Sequence, residues 1–110
     1  MAIGTPTTGT LTCSGSEQTL GSAKTDGKTY VLTLDLSNMA AGDVIELYIY
    51  VKVLTGSTAR VLWKVYWANA QSGQPVYMSP PIPAAYSVEF KLKQPTGSAR
   101  NVDWAFFTID

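Results

Sequence analysis

Eight carboxylates are the only side chains in this 110-residue chain that could serve as a catalytic acid and base: Glu17, Asp26, Asp35, Asp43, Glu46, Glu89, Asp103 and Asp110. Histidine is absent, and with it the commonest general base and the commonest metal ligand. One cysteine, Cys13, cannot complete a zinc set, and without histidine neither a Ser-His-Asp nor a Cys-His arrangement exists. A glycosidase-like pair of carboxylates is the one device left open. Most of these acids, however, stand at turns or on the polar side of alternating segments, where a carboxylate ordinarily aids solubility and blunts sheet edges. No acid-rich loop offers the spaced oxygens of a calcium site, and "GSAKTDGK" lacks the spacing of a phosphate loop. The expectation is no catalysis, no metal and no cofactor.

Aromatic rings are the second group with possible chemistry. Trp63, Tyr66 and Trp67 crowd one segment, and Tyr48 and Tyr50 share one side of another. Such rings are ordinary core residues of a sandwich, but Tyr and Trp are also favoured anchors of protein interfaces. A ring platform for sugar is a further option. Tyr48 and Tyr50 rank ahead of Trp63 and Trp67 as contact residues, since the tryptophans suit a core better.

The elements that must position these rings are strands. In "VIELYIYVKVL", Ile45, Leu47, Ile49, Val51 and Val53 alternate with Glu46, Tyr48, Tyr50 and Lys52. Strict alternation marks a strand with one face on a core, so the aliphatic set is expected inside and Glu46 and Lys52 outside. Tyr30, Leu32, Leu34 and Leu36 repeat the pattern, as do Tyr86, Val88, Phe90 and Leu92. "ARVLWKVYW" puts Val61, Trp63, Val65 and Trp67 on one predicted face, and "TGST" before it reads as a hairpin turn. "NMAAGD" reads as a crossing between two sheets, and the prolines of "PPIP" exclude that stretch from an inner strand. No segment sustains helical spacing. The fold class is therefore all-β: an antiparallel β-sandwich or jelly-roll-like barrel of about seven strands.

One domain is expected at this length. It spans residues 13–110, preceded by an extended N-terminal arm at 1–12 rich in Thr and Gly. Such an arm gains order only where an edge satisfies its backbone groups. Lys plus Arg equals Asp plus Glu, eight each, so nothing argues for nucleic acid. Charged residues make up only 15% of the chain, which lowers the desolvation cost of burying its surface against a partner. No apolar run reaches the length of a membrane span, and the first residues do not read as a signal peptide, so synthesis in the cytoplasm is expected.

At "DLSNMAAGDVIELYIYVKVL" and "VYMSPPIPAAYSVEFKLKQPTG" the chain resembles small decoration, or cement, proteins of tailed-bacteriophage capsids. The resemblance covers about residues 29–110 and is architectural, with no catalytic signature. It implies a β-rich structural protein of the virion. Such a protein binds the outer surface of the shell, bridges neighbouring subunits of the major capsid protein, and assembles as dimers or trimers. The candidate partner-binding residues are Ile3, Thr5, Pro6, Thr7 and Thr8 in the arm, with Tyr48, Tyr50, Trp63 and Trp67. The competing expectation is a carbohydrate-binding module that uses the aromatic platform.

Overall fold

The computed structural model describes residues 2–109; Met1 and Asp110, the outer ends of the two predicted segments, lie outside them. Nine strands and no helix occur among the described residues. In chain order they are β1 (Thr7–Thr12), β2 (Gln18–Thr19), β3 (Thr29–Asp35), β4 (Val44–Val51), β5 (Arg60–Ala68), β6 (Val76–Met78), β7 (Ile82–Pro83), β8 (Val88–Thr96) and β9 (Asn101–Ile109). Seven of them are three residues or longer.

The strands form two antiparallel sheets. One runs β1-β9-β3-β6, with β7 also pairing β3, and the other runs β2-β8-β4-β5. Each chain-consecutive pair from β1–β2 to β3–β4 is split between sheets, so most neighbours in space are distant in sequence. Two packed sheets that share distant strands in this way make a jelly-roll-like sandwich. Cross-sheet contacts fix which strand faces which. Phe90 of β8 meets Phe106 of β9 at 5.8 Å between ring centres, and Trp67 of β5 meets Tyr77 of β6 at 5.0 Å.

The core fills the space between the sheets with the predicted alternating sets. Leu32, Leu34, Ile45, Leu47, Ile49, Val88, Phe90, Leu92, Val102 and Phe106 are all essentially inaccessible. "NMAAGD" carries the chain from one sheet to the other, and Asp43 caps it from inside. Its Oδ2 accepts the Ala40 amide at 2.9 Å and Arg100 Nε at 2.5 Å. Gly97, at φ +101°, passes so close that a Cβ there would collide with Asp43 Oδ1 and Cα. A glycine is needed at that position for both reasons.

Three parts of the predicted pattern are corrected. Tyr86 does not join Val88, Phe90 and Leu92 in the core: it lies before β8 begins and is 43% exposed. The aliphatic alternation of β4 stops at its end: Val51 is half-buried, and Val53 is 76% exposed because the strand has given way to a loop. In β5 the register slips. Ile49 stands opposite Trp63 but Tyr50 stands opposite Val61, so Leu62 is an extra residue, a β-bulge. The bulge moves Val61 off the predicted Trp63/Val65/Trp67 face and onto the tyrosine face.

Residues 3–12 find their edge within the same chain. Thr7–Thr12 pairs along β9 from Phe106 to Asn101, Gly4 donates its amide to the Thr108 carbonyl, and Ile3 bridges Ile109. Gly9 is required in this run, since a Cβ would press into the Trp104 ring.

Cys13, next after β1, is 1% exposed, and burial pushes its thiol up to about 11. The thiolate is the reactive form. The native protein is therefore expected to resist a thiol reagent at pH 8 and to react fully once unfolded. Fast labelling of the native form would contradict this placement.

Candidate contact site

The outer face of the β2-β8-β4-β5 sheet carries the tyrosines. Tyr48 and Tyr50, two apart on β4, project to the same side and stack with ring centres 6.3 Å apart and planes 27° from parallel. Neighbouring strands supply cations: Lys64 of β5 sits 5.2 Å over Tyr48, and Lys91 of β8 sits 4.8 Å over Tyr50. Carboxylates complete the row. Tyr48 donates to Glu46 at 2.8 Å, Tyr50 donates to Glu17 at 2.6 Å, and Lys64 pairs with Glu46 at 3.4 Å.

These contacts raise the phenols. The Glu17 hydrogen bond, with burial behind it, pushes Tyr50 up to about 12, and burial followed by Glu46 raises Tyr48. The row is thus self-satisfied, with each phenolic hydroxyl committed to an acid of its own chain. Glu17→Gln is expected to bring the Tyr50 phenol back toward the ordinary 10 in an ultraviolet titration. An unchanged titration curve would show that the hydrogen bond does not form in solution.

Trp63 and Trp67 take the inner face of β5, opposite Ile49 and Ile45. Trp67 is packed against the core and Tyr77. Trp63 is still 38% exposed, because β5 is the outermost strand of its sheet and overhangs the core there. The arm residues lie elsewhere. Thr7 and Thr8 stand opposite Phe106 and Ala105 on β1, the far edge of the other sheet, with Thr5 and Pro6 exposed just before them and Ile3 66% exposed. The nominated residues therefore divide into three places: the tyrosine row, the β5 edge and the β1 edge.

β5 lies over β6 at one edge of the sandwich, and large apolar side chains are bare around that edge on both outer faces, Val61 and Tyr66 on the tyrosine face and Val76 and Met78 on the opposite sheet. Val61, Leu62, Trp63 and Tyr66 on β5, Val76 and Met78 on β6, and Val53 and Leu54 in the loop between β4 and β5 are all exposed. Patches of this kind mark interaction surfaces. Sequence alternation could not reveal this one. The same residue types are buried elsewhere, and what leaves them bare is the edge position of β5 and the shortness of β6.

A shallow groove of about 450 Å³ crosses the outer face of the other sheet, lined by Thr8, Thr10, Thr33, Asp35, Val76 and Asp103 among others. Asp35 and Asp103 are direct cross-strand partners. Their carboxylates turn to different donors, Asp103 accepting from Thr10 Oγ1 at 2.6 Å and Asp35 from the Ser37 amide at 2.9 Å. Those bonds from Ser37 hold Asp35 below the usual carboxylate range. Among the described residues no three potential ligands of the His, Cys, Asp and Glu types gather as a metal site would need.

Comparison with known proteins returns no matching family model, no matching curated protein and no matching solved structure.

Proposed function

We propose that this protein works by contact, as a structural protein that binds the outer surface of a virus shell and bridges neighbouring shell subunits. The observation that carries the reading is the apolar side formed by β5, β6 and the loop between β4 and β5, which leaves eight large apolar or aromatic side chains in solvent. Burial of such side chains is the main driving force of protein association. Zero net charge and few charged residues keep the opposing desolvation cost low. The capsid as partner rests on the resemblance of residues 29–110 to phage decoration proteins. Many identical copies on a symmetric lattice let individually weak contacts hold, because each further point of attachment multiplies affinity.

Catalysis is not part of this proposal. A glycosidase needs one carboxyl held high as a proton donor. Asp35, in the groove, is pushed the other way, and so are Asp26, Asp43 and Glu46. A jelly roll does not choose between shell and sugar, since the architecture serves both capsid and lectin domains. The second reading, carbohydrate binding, draws on the groove with its threonine hydroxyls and two carboxylates, more than on the tyrosine row.

Co-sedimentation with shells stripped of their decoration separates the two. The proposal expects saturable binding to shells, competed by unlabelled protein, and no retention on polysaccharide columns. Retention on a polysaccharide that Asp103→Ala abolishes, with no shell binding, would replace this reading by the carbohydrate one. A point variant sharpens the comparison. Leu54→Glu, at an exposed loop position, should lose shell binding without a change in melting temperature.

A further inference from the structure

The two sheets have four edge strands, and three of them are short or carry few apolar side chains. β1 is a run of Thr and Gly preceded by Pro6, β2 is two residues long, and β6 is three residues long between Pro75 and Pro80. β5 is different. It is nine residues long, and its exposed side chains are mostly apolar. Short strands, prolines and bulges are how proteins protect an open edge from pairing. On β5 the bulge at Leu62 protects only the start, so Trp63–Ala68 remains a regular strand with a free edge.

We propose that this edge pairs with β5 of a second copy of the chain, antiparallel about a two-fold axis through Val65. The stretch Trp63-Lys64-Val65-Tyr66-Trp67 has matched residue types on either side of its centre. Such an axis sets Trp63 against Trp67 of the other copy, Lys64 against Tyr66, and Val65 against Val65. Aromatic and aromatic–cation pairs across strands are stabilising, and the interface is isologous as a two-fold requires. The neighbouring registers are worse. An axis through Lys64 places the two lysines face to face, which is repulsive. An axis through Trp63 draws the Leu62 bulge into the ladder. An axis through Tyr66 sets Trp63 against Asn69, which has φ +67° and lies outside the strand.

The dimer joins two four-stranded sheets into one continuous sheet, with the backbone edge satisfied by pairing. It rests on the contact reading and narrows it, since β5 then faces the second copy and the shell contact falls to the Val53–Leu54 loop with Met78.

The test is sedimentation velocity over a concentration series on the purified chain, with no shell present. The expected result is a concentration-dependent monomer–dimer equilibrium. Tyr66 is 67% exposed, so substitutions there leave the fold intact. Tyr66→Lys sets lysine against Lys64 twice across the axis and is expected to weaken the dimer roughly tenfold. Tyr66→Glu sets opposite charges there and is expected to bind markedly better than Tyr66→Lys. Val65→Cys is expected to form a disulfide-linked dimer across the axis on mild oxidation, since Cys13 is buried. A chain monomeric throughout the series overturns the proposal, as does a dimer indifferent to Tyr66→Lys. Equal weakening by Lys and Glu, or a dimer that Val65→Cys does not link, overturns the register. Because no shell is used, failure of the dimer leaves the shell-binding experiment to stand or fall separately.

Discussion

Ile49→Asp is expected to yield no folded protein. Ile49 is wholly inaccessible at the centre of its sheet, with Trp63 of β5 on one side and Phe90 of β8 on the other. Loss of the aliphatic side chain alone costs about 2–5 kcal/mol in a packed core. An unpaired carboxylate placed there adds several kcal/mol of desolvation. Together these approach or exceed the roughly 5–15 kcal/mol that holds a domain of this size. The expected observation is insoluble expression, or a soluble chain without the β signature in circular dichroism. Val53→Asp is the matched control. It continues the same alternation four residues on but is exposed, so its effect should stay within about 0.5 kcal/mol. A folded Ile49→Asp protein with an unchanged melting temperature would show that the wrong face of β4 had been assigned to the core.

Asp43→Ala is expected to have the second largest effect. Asp43 is buried and ties the sheet crossing to Arg100, before β9. Its removal leaves the part-buried Ala40 amide and Arg100 guanidinium without their acceptor and takes away a charge-assisted hydrogen bond. A melting temperature several degrees lower is expected. The acid limb carries the sign. The Arg100 hydrogen bond, followed by that from Ala40, holds Asp43 below its ordinary 3.8. A depressed carboxyl stabilises the fold above the unfolded value, and that contribution is lost as pH falls below about 4 toward the folded pKa. The wild type should therefore lose stability over this range more steeply than Asp43→Ala. Parallel acid titrations of the two proteins would contradict the ion pair.

The core was legible because period-2 alternation depends only on which face is dry. Leu32, Leu34, Ile45, Leu47, Ile49, Phe90 and Leu92 all stand where alternation placed them. The departures have local causes that alternation cannot register. Leu62 is an extra residue in the ladder, so Val61 changes face, and Val53 lies past the last paired residue of β4. Asp43 and Arg100 meet across 57 positions, and Asp35 and Asp103 meet across 68, because the sheets interleave distant strands. Spacing in sequence carries no trace of such pairs. The contact site was half legible. Tyr48 and Tyr50 were expected to share a face and do, yet their hydroxyls are occupied by Glu46 and Glu17. The bare apolar side emerges only once β5 is known to be an edge and β6 to be short.

Oxidative footprinting of the protein, free and bound to stripped shells, tests the contact reading most directly. Met78, at 60% exposed, is the reporter on the apolar side, and buried Met39 is the internal control. The expected result is protection of Met78, Val53 and Leu54 in the bound protein, with Met39 unreactive in both. Equal oxidation of Met78 free and bound, with protection confined to the Asp35–Asp103 groove or absent, would contradict the assignment of that side to the shell.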